Sequence, residues 1–443
     1  MITPQAVSHV IETFCCVNLS NSLVANFWTG ALSLGIKAVK ESNSGVSAGI
    51  FWLLRSLDPR TETRSTARIN HYDRVSASRP NYHILASTTV SRVTLKAGKA
   101  TGVEFIASDG TKSTATAKKE VILAAGAVHT PQILQLSGIG PKALLQQYNI
   151  TPVVDLPGVG ANLQDHLVLK VEYNYTNAVY PNAGTFASNK TYNDEQLALY
   201  QAGKPSAYTL VYTTGNQFVL LPFKQTTGSF TGYSNTIAKA QAASPASALD
   251  TANPDSSVLA GYTAQRKILL SQWQSDTASI GSISWSTGPE TTIYMMKPFS
   301  RGSVLISSSD PLSNPLVDWN AVKDPADMDG VLALYKKNSD IMNTPWMKSL
   351  GPIETTPAGS AKTDDDLKAA FRATLEPTNA HVCCTAAMMP KNQGGVVDTK
   401  FQVYGVSGLR VVDASIWPMV VAAGPQASVY GIGEKVCFQS LFN

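Results

Sequence analysis

Charge is scarce in this sequence: Asp, Glu, Lys and Arg make up 15% of its 443 residues, against about a quarter in an ordinary globular protein. The net charge of +4 is not gathered into long basic runs, so neither a nucleic acid nor a membrane surface is expected as a partner. No stretch reaches the ~18 consecutive apolar residues of a membrane-crossing helix. The first 20 residues have no basic segment, and Glu12 interrupts their apolar run, so they do not read as a secretory signal. The compartment, secreted or cytoplasmic, stays open. The sequons at Asn18, Asn149, Asn174 and Asn189 would be glycosylated only with an export signal outside this chain.

Cysteine is also sparse. Cys15, Cys16, Cys383, Cys384 and Cys437 include two adjacent pairs and no metal-ligand spacing, which predicts buried or idle thiols rather than a disulfide framework or a metal site. The chain further lacks a Gly-x-Gly-x-x-Gly run after an apolar strand, and an acidic residue closing a second strand, the usual cradle for a dinucleotide. The length allows two or three domains and a large core.

Several elements are legible. Lys96–Gly98 and Asp109–Gly110 are turn signals, so residues 84–117 read as a three-stranded antiparallel meander. Residues 120–125 (EVILAA) form a short apolar strand suited to burial in a parallel sheet. Thr130 as N-cap and Pro131 as first helical residue predict a helix that Gly138 stops. Strand, tight turn and helix are the unit that a doubly wound sheet repeats. His129 in the turn reads as a packing or surface residue. From about 167 to 375 the pattern loosens into strands, polar loops and amphipathic helices. Residues 167–175, 291–296 and 303–307 read there as strands of one antiparallel sheet.

The stretch from Asn379 to Lys435 is the most suggestive. It contains an isolated polar histidine, His381, a glycine turn at Gly394–Gly395, an apolar strand over 409–412 ending at Asp413, and a helix start near Pro425. Proline suits the first helical position, where its missing N–H is not needed, and Gly424 is acceptable just before it. The first-turn N–H groups and the positive end of the helix dipole would face an electron-rich ligand.

The tail from His381 to Glu434 resembles the C-terminal signature of the glucose-methanol-choline (GMC) flavin-dependent oxidoreductases. The run Gly126 to Gly140 (GAVHTPQILQLSGIG) is similar to that family's second signature at every position. The likeness extends from about residue 26 to the end, with residues 1–25 outside it. It implies a mixed α/β chain, with part of an FAD-binding doubly wound domain (26–166 and 376–443) and a substrate domain with an antiparallel sheet (167–375). It implies FAD as cofactor and a small-molecule alcohol as substrate, in a monomer or homodimer. His381 would be the general base, and Val90, Asp413, Ala414, Pro425 and Gln426 would contact the flavin. An imidazole titrates near neutral pH and so suits that role. Asp165 and His166, in a segment resembling the crossing into the substrate domain, read as a hydrogen-bonded structural corner.

Three departures stand beside the likeness. Cys384 replaces a glycine that the family usually carries three residues after the histidine. Gly424 replaces the second active-site residue, a His or Asn that grips the substrate oxygen. The dinucleotide motif that opens the family's chain is missing, so the sequence is expected to be a truncated version of a longer one, with open sheet edges at 121–125 and 409–412. Beside alcohol oxidation, two readings therefore stay open: a non-redox cyclase or dehydratase on the same scaffold, as in some fungal natural-product relatives, and an inactive fragment.

Overall fold

The computed structural model describes residues 22–442 apart from 46–47, 55, 57, 59–63, 178–184, 205, 210–216, 227, 229, 250–253, 286–287 and 360. Cys15, Cys16 and Asn18 lie outside the described residues.

An antiparallel sheet of six strands dominates one half of the molecule. Its order is β1 (Gly49–Trp52), β9 (Gln217–Pro222), β10 (Ser279–Trp285), β11 (Glu290–Met295), β8 (Leu167–Tyr175) and β14 (Pro352–Thr356). Burial alternates along most of β8, as period-two apolar patterning demands, whereas every residue of β10 is buried. Helix α4 (Pro325–Met342) crosses this sheet. Asp324 caps it by accepting the Ala326 N–H, and Pro325 takes the first helical position. Close approach depends on Gly281 of β10, where a Cβ would meet Leu334 Cδ1 of α4 at 2.3 Å. Helix α1 (Ser22–Ser33) adds Phe27 and Ala31 to the same core, together with Trp273 at the end of helix α3 (Ser256–Trp273), Phe299 and Leu334.

A buried polar network ties the turn after β11 to these helices. Arg266 of α3 meets Asp324 at 2.6 Å, and Asp327 of α4 accepts the Phe299 and Ser300 N–H groups. Burial pushes the Asp327 carboxyl up to about 6, with neighbouring Asp324 adding to the shift. This arrangement ties Phe299 and Ser300 to α4.

The other half is built on the expected meander of β2 (Thr88–Lys96), β3 (Lys99–Ala107) and β4 (Lys112–Thr116). Beside it β5 (Val121–Leu123) pairs in parallel with β15 (Leu409–Val411), Leu409 facing Val121 and Val411 facing Leu123. Among the described residues this parallel sheet has only these two strands, and Ile122 is 46% exposed. Val121, Leu123, Ile133, Leu134, Val396, Val397, Leu409 and Val411 form a second core with Cys383 and Cys384. Two-strand pairs β6 (Ile139–Gly140) with β7 (Val154–Asp155), and β12 (Ser303–Leu305) with β13 (Leu316–Asp318), complete the strands among the described residues. The chain is thus mixed α/β with antiparallel sheets, as expected.

Three local expectations are corrected. Residues 303–305 leave the large sheet and form their own pair with β13. Helix α2 runs Gly126–Leu136, so it starts four residues before Thr130. The cap comes instead from a distant residue: the Asp413 carboxylate accepts the Gly126 N–H at 3.0 Å, and Gly126 takes φ +80° in the turn. Pro131 then lies inside the helix and cannot bond the Ala127 carbonyl, which accepts the Thr385 hydroxyl at 2.7 Å instead. Lastly, Cys383 and Cys384, both fully buried, are joined as a disulfide, where idle thiols were expected; Cys437 is free and exposed. A bond between neighbours leaves no spacing signal.

Candidate active site

The segment between α4 and β15 returns along the border of the two halves, and His381 sits there, partly buried. Its partners come from the crossing segment 162–166. Asp165 is the organising residue: its carboxylate accepts the His166 N–H at 2.6 Å, the Thr378 hydroxyl at 2.6 Å, the Asn379 N–H at 3.2 Å and the His381 N–H at 3.1 Å. Burial nevertheless raises the Asp165 carboxyl above its ordinary range, outweighing these bonds. Asp165 is the structural corner that was expected. His166 is more than that: its Nδ1 lies 2.9 Å from Nδ1 of His381 and its Nε2 lies 2.9 Å from the Val421 carbonyl. Burial, then the His381 ring, pushes the His166 imidazole down to about 3. Burial also lowers His381, opposed by the charge of Asp165.

The segment 418–421, which leads to helix α5 (Gln426–Phe442), is held by the same neighbourhood. Asn162 donates to the Pro418 carbonyl at 3.1 Å. Gln164 donates to that carbonyl at 3.2 Å and accepts the Val420 N–H at 3.1 Å. Lys297 donates to the Val420 carbonyl; burial, aided by Arg301, lowers its ammonium to about 8.

The carbonyl of Pro425 accepts the first bond of α5, from Val429 N–H at 3.0 Å. Gly424 is exposed, and no atom lies within 4 Å of a Cβ built on it. Gln426 accepts the Ser56 hydroxyl through Oε1 at 2.9 Å. Across the parallel pair, Ala124 and Ala125 are exposed, and Gly126 likewise has open space at its Cβ position. Asp413 has its carboxylate taken by Gly126 N–H, Thr130 hydroxyl at 2.6 Å and Ser415 N–H at 2.8 Å. Ala414 follows it and accepts the Cys384 N–H at 3.1 Å. Val90 lies in β2, an edge strand of the meander, opposite Phe105. His129 is exposed and bonds Gln132 locally, consistent with its surface reading.

Cys384 adopts φ +81°. That left-handed backbone accounts for a glycine being usual here, since a side chain in this region costs roughly 1–2 kcal/mol. Among the described residues no group of three or more His, Cys, Asp or Glu could hold a metal ion, and no helix is long and apolar enough to cross a membrane.

The fold thus brings together a crossing segment bonded to His381, a parallel βα unit with a glycine turn, and an antiparallel half beside them. Residues 10–168 and 298–433 match the two GMC oxidoreductase models, and the chain belongs to the GMC oxidoreductase family. The match begins at residue 10, so the likeness reaches into residues 1–25, which were expected to lie outside it. The chain is 42% identical to the dehydrogenase xptC of Emericella nidulans over 413 residues, 93% of this chain and 66% of that relative. It therefore spans just under two thirds of this relative's length. Among solved structures it resembles an FAD-dependent oxidoreductase from Chaetomium thermophilum, with TM-score 0.88, 43% identity and coverage of 93% of this chain and 70% of the other. It also resembles a fungal aryl-alcohol oxidase, with TM-score 0.87, 34% identity and coverage of 95% and 71%.

Proposed function

We propose that the chain acts as an FAD-dependent oxidoreductase on the CH–OH group of a small-molecule alcohol. The observation that supports this most is an oriented imidazole, His381, held through His166 to the Val421 carbonyl of the segment that leads to α5. Residues 26–166 and 376–443 would contribute to the flavin half and 167–375 to the substrate half, with α1 and β1 packed on the latter's sheet.

The ring end of FAD would lie by Gly126 and Gly424, where open Cβ space leaves room for a flat group, and by the first turn of α5, whose N–H groups suit an electron-rich ring. Pro425 and Gln426 would hold it there, Ala414 would contact it, and Val90 would offer backbone from the edge of β2. Asp413 would act indirectly, by fixing the turn at Gly126. When bound, FAD supplies the hydride acceptor. His381 Nε2, with no hydrogen-bond partner among the described residues, takes the proton of the substrate hydroxyl. Burial keeps the ring neutral near pH 7 and so able to accept it.

The test is anaerobic reduction: purified protein loaded with FAD is mixed with primary or aryl alcohols and its absorbance followed. Bleaching that His381→Ala slows by roughly 10² to 10⁴ supports the assignment; bleaching at the wild-type rate in that variant refutes it. Gly424 favours one second reading, a non-redox ring closure or dehydration, because this position offers no side-chain donor to a substrate oxygen. A protein that converts substrate without gaining or losing electrons would select it.

A further inference from the structure

The crossing segment carries a histidine that no part of the proposed chemistry uses. His166 is fully buried, while His381 at its edge is only partly so. The two rings meet edge to face, with centroids 4.9 Å apart and planes at 89°. A carbonyl oxygen can only accept, so the 2.9 Å contact with Val421 requires a proton on His166 Nε2. A neutral imidazole carries one proton, which leaves His166 Nδ1 bare and able only to accept. The atom facing it at 2.9 Å is His381 Nδ1, and that nitrogen must therefore donate.

We propose that His166 is a positioning residue that holds the proton of His381 on Nδ1, and so leaves the Nε2 lone pair of His381 as the one able to accept a proton. The chain of donors runs from His381 Nδ1 to His166 Nδ1, and from His166 Nε2 to the Val421 carbonyl. It links the base to the segment that leads into α5. Asn379, whose side-chain nitrogen lies 3.3 Å from His381 Nδ1, accommodates a protonated Nδ1 once its amide turns its oxygen toward the ring.

The charged groups nearby agree with this arrangement. Lys297 disfavours charge on His166, and Asp165 lies behind the backbone of His381 and favours charge on that ring rather than on its neighbour. The pair thus shares at most one extra proton, which goes to His381. Protonation at its Nε2 leaves the Nδ1–H bond to His166 intact, so the ring can take up and release a proton without turning. As an account of a base, this inference rests on the function proposed above; the tautomer itself does not.

The experiment is a long-range proton–nitrogen correlation spectrum of the full chain labelled with nitrogen-15 in its six histidines, at pH 7. His381 is expected to show a protonated Nδ1 and a bare Nε2, and His166 the reverse. His166→Leu should move the His381 proton to Nε2. His166→Asn, whose side-chain oxygen can stand where Nδ1 stood, should return it to Nδ1. In FAD-loaded protein the Leu variant should lose on the order of 10² to 10⁴ in kcat, with KM changed far less. A wild-type spectrum with the His381 proton on Nε2, or a Leu variant that keeps it on Nδ1, overturns the proposal. If the Leu variant does not fold, the wild-type spectrum decides alone. Failure of every alcohol to reduce the flavin would count against the proposed function while leaving the tautomer result standing.

Discussion

Nδ1 of His166 and Nδ1 of His381 lie 2.9 Å apart although 215 residues separate them in the chain. One ring is sealed from solvent and the other is partly exposed, so a neutral buried group sets the state of an accessible one.

That buried ring makes stability pH-dependent. Its folded pKa of about 3 lies below the unfolded value near 6.5, so the unfolded chain binds the extra proton between these limits. The contribution is fully present above pH 6.5 and declines steadily as pH falls toward the folded value. Denaturant midpoints measured from pH 7 to 4 should fall for the wild type and fall less steeply for His166→Asn. Parallel curves would show that another group governs acid stability.

The Arg266–Asp324 pair is almost wholly buried on both sides, at 4% and 1% side-chain exposure. Removing one partner strands the other, so Asp324→Ala should cost about 3–5 kcal/mol. It also removes the cap of α4. Arg266→Met with Asp324→Ser, which leaves no lone charge and retains a cap, should cost clearly less than the sum of the two single changes. Chemical denaturation of the three variants measures the difference.

Thr385 and Pro131 should be coupled. Thr385→Val leaves the Ala127 carbonyl without a donor and should cost about 1–3 kcal/mol. In a Pro131→Ala background the restored N–H can bond that carbonyl, and the same change should cost at most about half as much. Equal losses in both backgrounds would mean that the hydroxyl acts elsewhere.

Gly424 has room for a side chain. Gly424→Asn or Gly424→His should leave the melting temperature nearly unchanged and, by supplying a donor to the substrate oxygen, raise kcat on a simple alcohol by up to roughly 10². Unchanged kcat would place the oxygen's partner elsewhere and strengthen the non-redox reading.

What the sequence made legible follows from range. The meander over 88–116 is announced by its own turns at Lys96–Gly98 and Asp109–Gly110, whereas the short apolar runs at 121–123 and 409–411 mark two strands without showing that they pair with each other. The start of α2 was misplaced because its cap, Asp413, arrives from nearly 290 positions away, and no local pattern at Thr130 or Pro131 reveals that. His166 next to Asp165 looked like a corner and nothing more, since only the fold brings Val421 and His381 to its two nitrogens. A buried histidine with a carbonyl on one side and another histidine on the other has no sequence signature.

The grip on residues 418–421 has a wider implication. Four side chains, from Asn162, Gln164, His166 and Lys297, fasten that stretch to the crossing segment and the turn after β11. The approach to α5 therefore takes its bearing from those anchors, while Ser56 bonds Gln426 of the helix itself. The loops around these anchors could be lengthened, shortened or exchanged to admit differently shaped molecules while the angle between proton acceptor and helix mouth stayed constant.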